Sequence, residues 1–591
     1  MGSARFDRSV GSVVQSRRRS HHGPDERLQS SSCFGETLEV MRSSDPRAGL
    51  RWTLPVFTSL AGYRRAWLAR DLVAGVLVVA IAIPLSMGMA EVAGMPPIAG
   101  LYSCVLPLLA YALFGSSPQL VIALDASTAA MVAAAVAPLA AGDQLRYAEL
   151  AGAVALIVGG ILIVAGPLRL GFVANLLSRP VLLGYQAGLA VVVIFSQLPK
   201  LLGLEVFEDR PLPRAIEIVR GLGDASPQVV AIGMACLGVV LMFAAKEWRI
   251  PGALFAIVGA TFLVELFGSA LGDVPVVGSL PAGLPPISLP HVSTGDIVAL
   301  LPASAAIAFI AAADTIVSST AFAYRNRYEV DANRDLVGLG AANLASGVSG
   351  GITTSASAAR TAVVEMVGGR SQIASVTAAL LMVTVLIFLT RPLERVPTAA
   401  LAAVVVGAVV RLIEIRSLRA LWRIRRTEFA IAMATIIGAV AVGLLQGIVI
   451  GVSLSLLDHL VRVALLRRGA EHRGRAGPVM IATAPAADGG IGHADFVSTD
   501  EILVRADGLL FFANAHRLKE AIRARVSEQP AATRVVVDAS RVTDADATVA
   551  EMLTELEGDL ADHGVTLELT ELRPPVRDVL KEGAVRGCAR R

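Results

Sequence analysis

The chain has 591 residues, of which 54% are hydrophobic and 17% are charged, and its net charge at pH 7 is +3. A soluble domain carries about 25% charged residues, so this composition excludes an ordinary soluble protein, and so small a net charge gives nucleic-acid binding no support. We expect a polytopic α-helical membrane protein. The four cysteines have no metal-ligand spacing and predict neither a metal site nor a disulfide framework; they are Cys33, Cys104, Cys236 and Cys588.

The N-terminal segment is polar, rich in arginine and serine, and without the apolar stretch that a secretory signal requires. We expect residues 1–50 to form a disordered cytoplasmic tail. The run "RRRSHH" at 17–22 either contacts anionic lipid headgroups or is simply solvated.

Apolar segments of about 20 residues, the length that crosses a bilayer as a helix, follow one another between Asp71 and Arg462. We predict a transmembrane domain over residues 51–467. Basic loops precede span 1 and follow spans 6, 8, 12 and 14, so the positive-inside rule places both termini in the cytoplasm. The fourteen predicted spans are 71–92, 97–114, 119–140, 147–168, 172–198 (broken near Arg179-Pro180), 227–244, 251–269, 297–322, 332–349, 352–367, 371–390, 397–411, 427–443 and 446–465.

Two polar segments interrupt this apolar pattern at matching places. The segment "FGSSPQLVIALDASTAAMV" (114–132) contains the start of the third span, and "GGITTSASAARTAVVEMVGG" (350–369) contains the start of the tenth, which is the third of the second seven. In lipid, irregular polar backbone is tolerated only where it is buried or lines a cavity. Paired interruptions in two halves of a chain point to the central site of a transporter built from inverted repeats.

Each polar segment leads into a short helix, and the first turn of a helix leaves N–H groups unpaired, with an effective charge of about +0.5. Two such ends that face each other form a cradle for an anion. Arg360 adds a full positive charge, or alternatively pairs with a carboxylate for structural reasons; Asp125 alternatively bonds to nearby hydroxyls. The candidate substrate ligands are Ser116, Ser117, Asp125, Ser127, Ser355, Ser357, Arg360 and Thr361.

Asp314 lies in the apolar stretch "IAFIAAADTIVSSTAFAY". Because a charge in the bilayer is costly, this carboxylate is expected to face the protein interior. Three interpretations remain open: a coupling site for a proton or sodium ion, a partner for Arg360, or a helix-packing group. Ser318 lies one turn further along the same face and suits a cation site lined by oxygen atoms.

From about Pro478 the sequence changes to short strands that alternate with amphipathic helices, for example "RVVVDAS" followed by "DADATVAEMLTELEGDLADHG". This alternation predicts a small α/β domain. We assign residues 468–497 to a linker and residues 498–591 to this domain.

Several long motifs, in order, resemble the SulP/SLC26 family of anion transporters. The C-terminal domain resembles a STAS domain, the module shared by sulfate transporters and anti-sigma antagonists. The transmembrane motifs that carry the resemblance are "DLVAGVLVVAIAIPLSMGMAEVAGMPPIAGLYS", "GFVANLLSRPVLLGYQAGLAVVVIFSQLPKLLG", "YEVDANRDLVGLGAANLASGVSGG" and "SASAARTAV".

The resemblance implies fourteen spans in two inverted repeats of seven, divided into a core and a gate domain. It implies that the substrate binds between the starts of spans 3 and 10, against spans 1 and 8, and that the core moves like an elevator. Family members carry sulfate, bicarbonate, chloride, oxalate or dicarboxylates and commonly dimerise. By motif, Ser355, Ala356, Ser357 and Arg360 fall at the span-10 site, and Asp314 falls where many members have glutamate.

Four residues depart from the family pattern. Ala123-Leu124 replaces a common Gly-Pro pair, and Leu85 replaces a glutamine, which weakens the transfer of substrate contacts from relatives. In the STAS region Thr548 lies near the residue that is phosphorylated in soluble relatives, while Val549 stands where glycine is common. Thr548 is therefore either a regulatory site or a residue that supports the first turn of its helix.

We expect a secondary active transporter of a small inorganic anion in the plasma membrane, coupled to protons or sodium ions, contacting membrane lipid, dimeric, and without a cofactor. The STAS domain is expected to bind a cytoplasmic protein partner. An enzyme is not expected, because the sequence has no nucleophile–base–acid set and no glycine-rich phosphate loop. The alternatives are a nucleobase transporter of similar architecture and a non-transporting membrane anchor that presents the STAS domain.

Overall fold

The computed structural model describes residues 63–171, 178–206, 211–246, 252–271, 274–326, 328–471, 491–498, 501–529, 531–562 and 564–582. The predicted N-terminal tail, most of the predicted linker, and the cysteines at 33 and 588 lie outside these residues.

The membrane domain is helical, with two very short strands. Its elements are α1 (Leu68–Val92), α2 (Pro97–Tyr102), α3 (Leu106–Phe114), β1 (Ile122–Ala123), α4 (Ala126–Ala140), α5 (Gln144–Ala165), α6 (Arg179–Leu202), α7 (Pro211–Gly221), α8 (Pro227–Ala245), α9 (Gly252–Leu271), α10 (Thr294–Asn326), α11 (Ala332–Val348), β2 (Ser355–Ala356), α12 (Ala358–Val367), α13 (Ile373–Phe388), α14 (Thr390–Glu394), α15 (Thr398–Val409), α16 (Ile415–Ile424), α17 (Arg426–Ala441) and α18 (Leu444–Glu471).

The polytopic helical architecture is confirmed. Among the described residues, eight helical segments are long and apolar enough to cross a membrane, and three shorter apolar helices accompany them. Each of the fourteen predicted segments contains a helix, although the number of crossings stays a prediction. The helix of the fifth predicted span, α6, begins at Arg179. Pro180 in its first turn starts a helix well, because the first turn does not use the N–H that proline lacks.

Helices from the two halves of the chain pack as symmetry-related pairs. Helix α12 packs against α1, and its counterpart α4 packs against α10; α13 packs against α1, and its counterpart α5 packs against α10. A second group comprises α6, α8, α9, α15, α17 and α18, which pack mainly on one another. This division matches the core and gate expected from the resemblance, and it brings the starts of α4 and α12 into one place.

Close backbone contact between α5 and α11 depends on glycine. A Cβ added at Gly159 would lie 2.8 Å from the carbonyl oxygen of Gly340 and 2.8 Å from the amide nitrogen of Leu344, whereas a Cβ at the adjacent Gly160 would meet nothing within 4 Å. These two positions therefore form a matched pair on one helix.

We expect Gly159→Ala to lower the free energy of unfolding by about 1–3 kcal/mol, because the two helices must separate to admit the methyl group. Gly160→Ala should leave stability unchanged or raise it slightly, since alanine is the better helix former. Thermal unfolding of both variants in one detergent measures the difference. Equal melting temperatures would show that the α5–α11 contact is not this close.

The C-terminal domain is the predicted α/β domain. Its four-stranded sheet has the order β3-β4-β5-β6, with β3 antiparallel to β4 and the other pairs parallel. Strand β3 begins at Ile491, inside the segment assigned to the linker. The elements are β3 (Ile491–Ser498), β4 (Glu501–Leu510), α19 (Phe512–Glu528), β5 (Arg534–Ala545), α20 (Ala547–Asp562), β6 (Thr566–Thr570) and α21 (Pro574–Glu582).

Candidate anion site

The two polar segments singled out from the sequence lie side by side. Strands β1 and β2 pair antiparallel, with Ile122 opposite Ala356 and Ala123 opposite Ser355. The Ser357 N–H donates to the Val121 carbonyl at 2.9 Å and extends the pairing. Because α4 and α12 each begin within three residues of this ladder, their N-terminal ends are held together by backbone hydrogen bonds.

The N-terminal end of α12 is open. Ser357 occupies the N-cap position with an extended backbone, but its side chain makes no capping hydrogen bond. Ala358 and Ala359 in the first turn are exposed, while the residues on both sides of them are buried. First-turn N–H groups at this end have no partner within the helix, so an anion can approach them.

Arg360 lies directly below this open end and is 0% exposed. Its Nη1 donates to the Leu124 carbonyl at 3.2 Å and its Nη2 donates to Ser86 Oγ at 2.8 Å, while Nε has no partner. Among the described residues no carboxylate forms an ion pair with it; Asp125 interacts with it electrostatically without such a contact. The positive charge is therefore only partly offset, and a bound anion would complete its neutralisation.

Two of the candidate hydroxyls beside Arg360 differ in their hydrogen bonding. Thr361 Oγ1 donates to the Ser357 carbonyl at 2.8 Å and accepts from the Val121 N–H at 3.0 Å, so it braces the β1 segment. Ser355 Oγ is buried without a hydrogen-bond partner. Of these two hydroxyls, that of Ser355 therefore retains its full hydrogen-bonding capacity, as do those of Thr353 and Thr354 just before it.

Three further residues hold the span-10 segment, and the sequence analysis did not select them: Thr315, Asn343 and Ser86, which accepts from Arg360 as described above. Thr315 Oγ1 accepts from the Ala356 N–H at 3.2 Å. Asn343 accepts from the Thr354 N–H at 2.9 Å and donates to the Thr354 carbonyl at 3.0 Å. An amide side chain in an apolar span was a visible signal for Asn343; nothing in the local pattern distinguishes Thr315 or Ser86.

The N-terminal end of α4 carries its own negative charge. The Asp125 carboxylate caps this helix and accepts from the N–H of Ser127 at 3.4 Å and from its Oγ at 3.3 Å. A carboxylate at this position satisfies the helix end and repels an anion. The two ends that the sequence presents as equivalent are thus different: one is open beside an arginine, and the other is capped by an aspartate.

Asp314 and Asp125 both lie beside the hydroxyl of Ser127. The hydroxyl of Ser127 lies 3.2 Å from Asp314 Oδ2 and 3.3 Å from Asp125 Oδ2. One hydroxyl proton can be donated to only one of the two carboxylates at a time. A cation between them would relieve the repulsion of two partly buried negative charges. Ser318 is half-buried one turn along α10.

Ser116 and Ser117 lie apart from this group, against α11. The N–H and Oγ of Ser116 donate to Asp335 Oδ1 at 2.9 and 2.8 Å, and Tyr111 donates to the same oxygen at 2.8 Å. Ser117 Oγ forms a hydrogen bond with the hydroxyl of Tyr328 at 3.2 Å. These serines attach the loop after α3 to the start of α11.

Thr548 lies where the C-terminal domain meets the membrane domain. Its Oγ1 accepts from the N–H of Arg179, the first residue of α6, at 3.4 Å. The Arg179 guanidinium pairs with Glu551 at 2.8 Å, one turn along α20. Arg425, just before α17, pairs with Asp544 and donates to the Ala545 carbonyl at 2.6 Å. The β5–α20 turn is thus attached to the starts of two gate helices.

Comparison with known families bears on both domains. The model of the sulfate permease family matches residues 68–435, and a STAS-domain model matches residues 497–587. The first match covers more than half of the chain and contains every residue of the candidate anion site, whereas Thr548 lies within the second match.

Individual relatives extend the match to nearly the full length. The chain is 36% identical over 528 residues to a probable sulfate transporter of Mycobacterium tuberculosis. The aligned region covers 88% of this chain and 92% of that protein. It is 30% identical over 505 residues to human solute carrier family 26 member 6, covering 80% of this chain and 65% of the human protein.

Solved structures share the fold. The structure of SLC26A9 superposes with a TM-score of 0.65 at 18% identity and covers 99% of this chain and 94% of that one. The transmembrane domain of the cyanobacterial bicarbonate transporter BicA gives a TM-score of 0.59 at 24% identity and covers 65% of this chain and 98% of that one. The protein therefore belongs to the sulfate permease family, the SulP/SLC26 anion transporters, and carries a C-terminal STAS domain.

Proposed function

We propose that the protein is a secondary active transporter of a small inorganic anion such as sulfate or bicarbonate. One observation carries this proposal: the exposed, uncapped start of α12 lies over a buried arginine that has no ion-pair partner among the described residues. The names of its relatives, a probable sulfate transporter and a structurally similar bicarbonate transporter, support this substrate class.

Alternating access by an elevator movement fits the division of the helices. The anion would bind at Ala358 and Ala359 and travel with α1, α4, α10 and α12, while α6 and α17 stay in place. An ion pair between Glu91 at the end of α1 and Lys200 at the end of α6, with atoms 2.6 Å apart, links the two groups at one side of the membrane. Movement of the core would have to break this contact.

Coupling to a cation is proposed for the N-terminal end of α4. Asp314 and Asp125 share the hydroxyl of Ser127, so one proton or sodium ion held there would offset the charge of the bound anion. Ser318 would add an oxygen ligand in the sodium case. In this arrangement Asp125 serves the cation and not the anion.

The plasma membrane is the proposed location, with both termini in the cytoplasm, because the basic loops before span 1 and after spans 6, 8, 12 and 14 would fall on that side. We further propose a homodimer, as is common in the family, and a cytoplasmic protein partner for the STAS domain.

Uptake into proteoliposomes tests the proposal. The purified protein would be supplied in turn with sulfate, bicarbonate, chloride and dicarboxylates, with and without pH or sodium gradients. Transport of at least one anion, accelerated by a gradient, is the expected result. If folded protein moves none of them, or if nucleobases compete for uptake, the proposal fails. Deletion of the residues after 478, followed by measurement of both transport and bound protein partners, distinguishes a transporter from a membrane anchor. An anchor would lose its partners and would show no transport before or after the deletion.

A regulatory role is proposed for Thr548. Thr548→Asp would place a negative charge two residues from Asp546 and three from Glu551, so we expect weaker attachment of the STAS domain, seen as faster proteolysis between the two domains. Thr548→Val, which removes the hydroxyl without adding charge, serves as the control and should have a much smaller effect. Equal proteolysis of the Thr548→Asp protein and the unmodified protein would remove Thr548 from this role.

A further inference from the structure

The segment between α15 and α17 carries an unusual density of positive charge. Residues 411–426 contain six arginines. Arg425 is turned toward the STAS domain and is paired there with Asp544. The other five are exposed, and none of their side chains makes a hydrogen bond or ion pair with another described residue. We call these five the basic face: Arg411, Arg416, Arg419, Arg423 and Arg426.

The apolar side of α16 is already covered by protein. Leu421 is 2% exposed and packs with Leu183 of α6, Ala432 of α17 and Ala547 of α20. Arg416, Arg419 and Arg423 recur at spacings of three and four, which places them together on the other side of the helix. The helix is therefore fixed by its apolar side and presents its arginines outward.

This helix lies between two helices of the transmembrane domain. It connects α15, which ends at Val409, to α17, which begins at Arg426. Trp422 is 51% exposed, and its ring packs edge-on against Phe429 in the first turn of α17, with centroids 5.0 Å apart. The Arg426 guanidinium lies over the same indole. Tryptophan favours the headgroup level of a bilayer, so Trp422 marks that level beside the basic face.

We propose that the basic face binds anionic phospholipid headgroups of the cytoplasmic leaflet. Clusters of four or more basic residues beside a membrane span attract anionic lipid, and the planar guanidinium matches a phosphate with two parallel hydrogen bonds. The one carboxylate on the segment up to residue 426, Glu414, already contacts Arg179 and Ser417. Lipid bound here would hold the cytoplasmic ends of α15 and α17, two gate helices, at a fixed depth.

Fluorescence of Trp422 tests this inference in the full-length protein. The other three tryptophans, Trp52, Trp67 and Trp248, are replaced by phenylalanine. The protein is placed in nanodiscs of phosphatidylcholine with a minor share of phosphatidylglycerol, and bromine is carried on the acyl chains of one lipid or the other. We expect brominated phosphatidylglycerol to quench Trp422 at least twofold more than its share of the lipid predicts.

Combined replacement of Arg416, Arg419 and Arg423 by glutamine should remove the excess. Quenching by brominated phosphatidylglycerol should then equal the value expected from its share of the lipid. Replacement of Arg505, Arg517 and Arg525 in the STAS domain removes the same charge elsewhere and should leave the enrichment intact. High salt should reduce the enrichment in the parent protein, which keeps the test decisive if the triple variant does not fold. Quenching in proportion to lipid composition, or no quenching by either lipid because a protein covers this face, overturns the inference.

Discussion

Replacing Arg360 by glutamine is expected to weaken anion binding about 10- to 100-fold. Hydrogen bonds and contacts that involve a charged group contribute about 1.5–3 kcal/mol, and each 1.4 kcal/mol corresponds to a factor of ten. Glutamine can still donate to Ser86 Oγ or to the Leu124 carbonyl, so the packing is largely kept while the charge is lost. The concentration dependence of uptake into proteoliposomes measures the change.

Arg360→Lys provides the matched control, because it keeps the charge but not the fork of donors. It should bind the anion better than Arg360→Gln and less well than the unmodified protein. Size-exclusion profiles and melting temperatures must be alike for the three proteins. An Arg360→Gln protein with unchanged apparent affinity would show that the buried charge does not contribute to anion binding.

Asp314→Asn is expected to abolish accumulation driven by a proton or sodium gradient while leaving the fold intact. Asparagine fits the same space and can still bond to the Ser127 hydroxyl, but it can neither take up a proton nor attract a sodium ion. Gradient-driven uptake should fall to the level seen without a gradient. Exchange of anion for anion across the membrane should persist, because the start of α12 is unaltered.

Asp296→Asn is the appropriate comparison. Asp296 lies in the first turn of the same helix, several turns before Asp314, and pairs with Arg146. It should retain gradient-driven uptake. If Asp314→Asn accumulates the anion as well as Asp296→Asn does, Asp314 has no part in coupling.

Hydropathy was sufficient to predict the membrane class and the presence of a helix in each of the fourteen predicted segments, because burial in lipid demands long apolar helices. The alternation of strands and helices likewise predicted the α/β domain. Strand β3 was missed because "IGHADFVS" has little of the apolar alternation that marks a strand. Its assignment to the sheet depends on pairing with β4.

The different surroundings of the two helix ends could not be predicted. Asp125 and Asp314 are separated by nearly 190 residues, and only the packing of α4 against α10 places both beside Ser127. Ser116 and Ser117 have the same local appearance as Ser355 and Ser357, yet their hydrogen bonds go to Asp335 and Tyr328. Local pattern shows that a segment is polar, whereas its partners are set by tertiary contacts.

In the proposed mechanism, water and the transported anion reach the open first turn of α12. In a protein without native cysteines, Ala359→Cys should react with a hydrophilic methanethiosulfonate reagent, and the transported anion should slow that reaction severalfold. Ala531→Cys, exposed in the STAS domain, should react at a rate that the anion does not change. An Ala359→Cys protein that does not react, or that reacts equally fast with and without the anion, would show that the anion does not bind at the start of α12.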